Sequence, residues 1–325
     1  MKRIGLSWIV LLIAVLALAG PATSQDKFPS KPITVIVPFS AGGSTDLLAR
    51  AVEKVWPKYS SQPMVIVNKP GGGGVVGTEF VVRSKPDGYT LFLGYGSGHD
   101  VVMPHLQKMP YDPFKDLAAV ARLSIHSVVI CTGSKSEFNT LNDMIAWAKK
   151  ENKPVTSSVS TKAGAVDITT TALGKAAGIN IVTIPFAGGA DAVTTLAGGH
   201  VMIGGGHPSE VMPHIKAGRF KPLAVALPER DPSLPNVPTF KEQGVDVYTW
   251  GSIKGVAAPA ATPKEVVEYL DATLKKVCAD EEFKKMMVDL DQPIMYQNSS
   301  DFTKFLQQAY GDYGKLIKDL NITIQ

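Results

Sequence analysis

The segment Ser40-Ala41-Gly42-Gly43-Ser44-Thr45-Asp46 carries residue types suited to gripping an anion. Gly42 and Gly43 let the backbone come close to a ligand. Ser44 and Thr45 add hydroxyls, and a helix starting here would aim its first N–H groups and its dipole at negative charge, with no Arg required. A buried carboxylate needs several donors, which this loop can supply. Asp46 is read as a support that accepts backbone hydrogen bonds or orients a water, not as a ligand contact. The plainer alternative is that Ser44 caps the helix and the glycines only make a turn. Ile184-Pro185-Phe186-Ala187-Gly188-Gly189-Ala190-Asp191 repeats the device: a strand ends, small residues follow, a helix begins. Two such helix starts facing each other could hold a ligand with a carboxylate at each end.

Other motifs point to less. Gly72, Gly74 and Gly77 match G-x-G-x-x-G, but Asn68-Lys69-Pro70 separate them from their strand, so a glycine turn is expected instead of a dinucleotide site. His207, Glu210 and His214 fall at i, i+3 and i+7. Pro208 and Pro213 disturb that face, and packed or solvated histidines are expected in place of a metal site. The sequence has no G-x-S-x-G, H-E-x-x-H, G-K-[ST] or C-x-x-C. Neither a cofactor nor a metal is expected. A dyad assembled in space is the enzymatic alternative.

The elements that must position these residues alternate. Ile33–Val37 reads as a buried parallel strand. A helix follows with Leu47, Leu48, Ala51, Val52, Val55 and Trp56 inward, stopped by Pro57. Strands are expected at Met64–Val67, Thr90–Leu93, Ser127–Cys131, near Val155, at Ile181–Ile184 and at Leu223–Ala226. Helices are expected over Leu141–Lys150, Val166–Ala177, Ala190–Ala197 and Ser209–Ala217, three of them closed by Gly178, Gly198 and Gly218. Three closing helices are predicted, capped by Thr262, Asp280 and Ser300. The last carries Phe302, Phe305, Leu306, Ala309, Tyr310, Tyr313 and Leu316 as a docking stripe.

The fold class is therefore α/β, with two lobes. Lobe one is expected to hold residues 25–127 and 250–325, and lobe two residues 128–249, with two crossovers between them. Residues 1–24 read as a secretory signal peptide: Lys2 and Arg3, the apolar run Ile9–Ala19, then small residues. Its loss predicts export to the periplasm. The 325 residues carry a formal charge of +4, or +2 without Lys2 and Arg3, because residues 1–24 hold no acid. That weak charge and the lack of basic runs exclude a nucleic-acid partner. Cys131 and Cys278 are expected as two separate packing residues.

Several segments in order complete the reading: Pro38 to Asp46 with Ala49-Arg50, Asn68-Lys69-Pro70-Gly71-Gly72-Gly73-Gly74, Pro86-Asp87-Gly88-Tyr89-Thr90-Leu91, Tyr111-Asp112-Pro113, Pro185-Phe186, Pro213-His214-Ile215-Lys216-Ala217-Gly218-Arg219 and Leu234-Pro235-Asn236-Val237-Pro238-Thr239. Together they resemble the tripartite tricarboxylate transporter substrate-binding proteins, the Bug family, over almost the whole chain. The resemblance implies a type II-like clamshell. It implies a monomeric, non-enzymatic periplasmic protein that captures a small organic carboxylate and delivers it to membrane transporter subunits, or in some members to a sensor. It adds Gly96, Ser97, Thr161, Gly164, Phe186, Gly188, Gly189 and Asp191 to the Ser40–Asp46 loop as ligand-binding residues, and the far end of the ligand is expected to meet Gly205 and His207. Gly164, Ala165 and Asp167 depart from the family pattern, as does Val201–His207, which predicts an altered pocket in lobe two with room for a bulkier ligand.

Overall fold

The computed structural model describes residues 28–323. The signal peptide expectation lies outside the described residues. Their strands form two sheets. The first has the order β11-β4-β10-β3-β1-β2. It is built from β1 (Ile33–Val37), β2 (Met64–Asn68), β3 (Thr90–Tyr95), β4 (Leu117–His126), β10 (Ser252–Pro259) and β11 (Gln297–Asn298). The second has the order β7-β6-β8-β5-β9. Its strands are β5 (Val129–Gly133), β6 (Val155–Val159), β7 (Ile181–Pro185), β8 (Ile203–Gly206) and β9 (Phe220–Val225).

In each sheet a parallel trio is extended by antiparallel strands. β1 pairs with β2 and β3 in parallel, and β10 runs antiparallel to β3 and β4. β6 pairs with β7 and β8 in parallel, and β5 runs antiparallel to β8 and β9. Parallel strands need helical crossovers. These are α1 (Ser44–Val55) and α2 (Val75–Val82) in the first unit, and α5 (Ala165–Ala177) and α6 (Gly189–Ala197) in the second. The remaining helices are α3 (Gly98–Val101), α4 (Leu141–Glu151), α7 (Pro208–Lys216), α8 (Lys264–Ala279), α9 (Glu281–Asp289) and α10 (Ser299–Asp319). None among the described residues is long and apolar enough to cross a membrane.

Burial follows the apolar pattern. Leu48, Ala51, Val52, Val55 and Trp56 join β1 and β3 in one core, while Leu47 stays half-buried. Phe302, Leu306, Ala309 and Tyr313 dock α10 on the first sheet, with Phe305, Tyr310 and Leu316 packed partly buried beside them. Cys131 and Cys278 are both buried and free. Gly178 and Gly218 take the left-handed conformation beyond their helices, but after α6 that role passes from Gly198 to Gly199.

Two caps differ from expectation. α8 starts at Lys264 behind Pro263, whose ψ of 140° is extended, so Thr262 lies one residue too early to cap. At α10, Asn298 accepts from the Asp301 N–H, which puts Ser300 inside the helix. Asp280 caps α9 as expected, accepting from the N–H groups of Glu282 and Phe283.

Candidate functional site

The parallel strands β1, β3, β6, β7 and β8 each end in a loop that starts a helix. Ligands bind at this edge of open α/β sheets. The loops after β1, β3, β6, β7 and β8 start α1, α3, α5, α6 and α7. All five helices carry an acid at their third residue: Asp46, Asp100, Asp167, Asp191 and Glu210. Where it is ionised, such an acid complements the positive end of its helix. In three cases it also accepts from the N–H four residues back. Gly42 N–H donates to Asp46 at 2.9 Å, Gly96 N–H to Asp100 at 2.9 Å, and Ala163 N–H to Asp167 at 2.6 Å. Asp46 also receives the Asn68 amide at 2.9 Å. Gly42 turns the chain at φ +78°, which only a glycine adopts without strain.

The last two acids reach across to the other unit. Asp191 accepts from Ser40 Oγ at 3.0 Å. Glu210 accepts from the N–H of His207 at 2.9 Å and from the N–H of Ser44 at 2.7 Å. Ser40 N–H also donates to the Ala187 carbonyl at 3.2 Å.

Between these loops lies a small cavity of about 30 Å³, room for about two water molecules. Its wall includes Gly43, Ser44, Thr45, Ser97, Thr161, Gly164, Gly188, Gly189 and His207, all named from the sequence. Ser40 and Asp191 do not line it and are bonded to each other across the two units. Asp46 stands behind the loop. Ala41 and Gly42 are exposed, and Phe186 is half-buried with its N–H on the Val159 carbonyl. These three do not line the cavity, and neither do Gly96 and Gly205. Gly96 is packed under Ile253 and Leu306, and Gly205 is packed against Val166 in the second sheet.

Phe39, Ser160, Ser252, Lys254 and Glu210 on the cavity wall were not expected from the sequence, whereas Ala165 belongs to a helix start already singled out there. For two of these a signal was present. Glu210 repeats the acid spacing of the other four helix starts. Lys254 is the lone charge in the otherwise fully buried run Ser252–Pro259, and lysine is almost never buried without a partner.

Lys254 donates to Ser44 Oγ at 3.1 Å and to Thr45 Oγ1 at 2.7 Å. Burial pushes its ammonium down to about 8, against the pull of Glu210. Burial also works against the Glu210 carboxylate. The N–H groups of His207 and Ser44 and the charge of Lys254 work the other way, and the group is held below its ordinary value. Burial lowers His207 to about 4. It is therefore neutral at pH 7, and because the Ser127 carbonyl 2.8 Å from Nδ1 can only accept, Nδ1 carries the proton. His214 is not part of this cluster; its ring stacks on Phe220 at 4.5 Å. Gly71 to Gly74 all adopt positive φ and form a tight turn. Gly74 there lies against the His99 ring, closer than a Cβ would allow.

Two α/β units whose helix starts converge on one polar cavity define a two-unit ligand-binding protein. The chain belongs to the tripartite tricarboxylate transporter family receptors, whose model matches residues 48–322. The chain is 32% identical to BugT of Bordetella pertussis over 267 residues, 82% of each chain. The structure of the periplasmic binding protein BugD superposes with a TM-score of 0.86 at 28% identity, covering 92% of this chain and all of BugD. That of MatC from Rhodopseudomonas palustris with bound malate gives 0.83 at 25% identity, covering 89% of this chain and all of MatC. The expected family and α/β periplasmic-binding-protein fold are therefore borne out, and the chain is a solute-binding receptor of this transport class.

Proposed function

We propose that this receptor works in the periplasm. There it closes two lobes, residues 25–127 with 250–325 and residues 128–249, on a small organic carboxylate that it hands to membrane transporter subunits. The observation that carries the reading is the meeting of the starts of α1, α6 and α7 with the Lys254 ammonium around one small cavity. Backbone N–H groups at helix starts and a buried cation are the donors a desolvated carboxylate requires. The site supplies them from both units, so a ligand would gain its full set of contacts only when the units are together. The malate held by MatC supports an acid of this class.

An exported hydrolase is the reading from another class, because Ser44 Oγ lies 3.1 Å from Lys254 Nζ, the spacing of a nucleophile and its base. Against it, the Glu210 carboxylate fills the Ser44 N–H that would stabilise an oxyanion. A thermal-shift screen over mono-, di- and tricarboxylic acids tests the binding reading, since a ligand of the folded state raises apparent stability. An acid that shifts the melting temperature and is recovered unchanged supports it. Steady turnover of that acid, or no response to any carboxylate, goes against it.

A further inference from the structure

Glu210 departs from the other acids at the helix starts in one respect: its side chain is one methylene longer. Asp46, Asp100 and Asp167 end on the N–H four residues back in their own loops. Glu210 keeps its own helix start, through His207 N–H at 2.9 Å, and with its other oxygen crosses to Ser44 N–H at 2.7 Å. The carboxylate is pressed so closely onto the start of α6 that a Cβ on Gly189 would lie 2.1 Å from Oε1. A Cβ on Gly43 would lie 3.6 Å from the same oxygen. Three helix starts thus surround one buried carboxylate that belongs to the protein itself.

The donor it holds is the one an external acid needs. Ser44 N–H is the first amide of α1, at the positive end of a helix of 12 residues. With Glu210 in place, the remaining space of about 30 Å³ is small for an organic acid. Two carboxylates on one N–H would also repel each other at close range, in a site with few waters to screen them.

We infer that Glu210 is an internal competitor for the ligand: its carboxylate occupies the ligand carboxylate's subsite at Ser44 when the units are together, and an incoming acid binds by displacing it. This rests on the carboxylate reading above. Glu210 then falls back on His207 N–H, which it retains throughout, so its own helix stays capped while Ser44 changes partner. The residue is a specificity determinant. It sets a threshold that weak anions fail to pass, and the apparent affinity of every acid is reduced by the fraction of molecules in which Glu210 holds the site.

Glu210→Asp tests this directly. The shorter acid matches the third residue of the other four helix starts, keeps the charge and the cap, and cannot reach Ser44. The probe is sodium acetate, titrated into ¹⁵N-labelled protein while the Ser44 amide is followed by NMR, with chloride at matched ionic strength as reference. In unliganded Glu210→Asp the Ser44 amide proton should move upfield, having lost a charged acceptor. Acetate should then shift it at about one tenth of the concentration needed in the wild type. Glu210→Gln, which keeps the reach and loses the charge, should fall between the two. A Ser44 amide unmoved by Glu210→Asp in a well-dispersed spectrum overturns the inference and leaves the carboxylate reading standing. An amide freed by Glu210→Asp that ignores acetate overturns the displacement step together with the carboxylate reading. Weaker acetate binding in Glu210→Asp also overturns it, because Glu210 would then assist the ligand.

Discussion

The Lys254 ammonium donates to Thr45 Oγ1 at 2.7 Å, tying the middle of β10 to the second residue of α1. It also donates to Ser44 Oγ at 3.1 Å. The two hydroxyls hold the cation at the mouth of the helix, where an anion would feel both. Its ammonium is pushed down to about 8 by burial, so bringing a carboxylate beside it favours the protonated form.

Carboxylate affinity should therefore depend on pH with a definite sign. Below about pH 8 Lys254 is charged in the free protein, and this dependence is flat. Above it the free protein loses the proton and the complex retains it, so the dissociation constant should rise by up to about tenfold per pH unit. Lys254→Met should abolish the slope and weaken binding at pH 7 by about tenfold or more, the worth of a hydrogen bond to a charged group. Calorimetric titration between pH 6 and 10 measures both. A wild-type constant that stays level to pH 9.5 would remove Lys254 from the site.

Gly43 precedes α1 with φ −77° and ψ 165°, a conformation open to any residue. A Cβ there would sit at ordinary contact distance, 3.5 Å from the Ser40 carbonyl and 3.6 Å from Gly189 N. Gly43→Ala should fold and keep part of its affinity. Gly43→Val should also fold, but its two γ-carbons must enter a space of about 30 Å³, and binding should be lost. Circular dichroism with a binding assay separates the two effects. A folded Gly43→Val protein of wild-type affinity would move the ligand away from this loop.

Ile33–Val37 and the α10 stripe were legible because burial imposes their periodicity on the sequence itself. The Ser40–Asp46 loop was legible because a strand, two glycines and an acid at the third helical position are all local. Lys254 was not read as part of the site, because it lies 209 residues from Thr45 and only the pairing of β10 with β3 brings them together. Glu210 was visible as a spacing, but its reach to Ser44 spans 166 residues and depends on how the two units meet. Gly96 and Gly205 were drawn into the site because a glycine packed against Ile253 or Val166 has the same letter as one facing a ligand.

Asp100 is buried in the first unit, and burial pushes its carboxyl up to about 8 from an ordinary 3.8. Between those values the folded protein holds a proton that the unfolded chain has released, so this group makes stability fall as pH rises from 3.8 to 8. Asp100→Asn keeps an acceptor for Gly96 N–H and can place its amide near the Tyr111 hydroxyl, 3.4 Å from the carboxyl. The variant should melt several degrees above wild type at pH 8, with the difference shrinking toward pH 4. Melting curves of both proteins across that range measure the difference, which isolates this group from all others. A gap that widens on acidification would reverse the assignment.

Gly98, the first residue of α3, lies in the first unit against Ala163 of the second. A Cβ on Gly98 would stand 1.9 Å from the Ala163 carbonyl oxygen and 2.8 Å from Gly164 Cα. Both are backbone atoms, so no side-chain rotation relieves the overlap. Ala163 is itself held at φ +53° by the 2.6 Å bond from its N–H to Asp167, which leaves it little freedom to retreat. Gly98→Ala should therefore act as a wedge between units that each fold normally. Small-angle scattering should give a larger radius of gyration than for wild type, and carboxylate binding should weaken by about tenfold or more, because closure must now overcome the overlap. Gly133→Ala is the matched control, since a Cβ there meets nothing within 4 Å. It should leave radius and affinity unchanged. If Gly98→Ala scatters and binds like that control, the two units do not have to approach at this point for the ligand to be held, and closure would have to turn about a different contact.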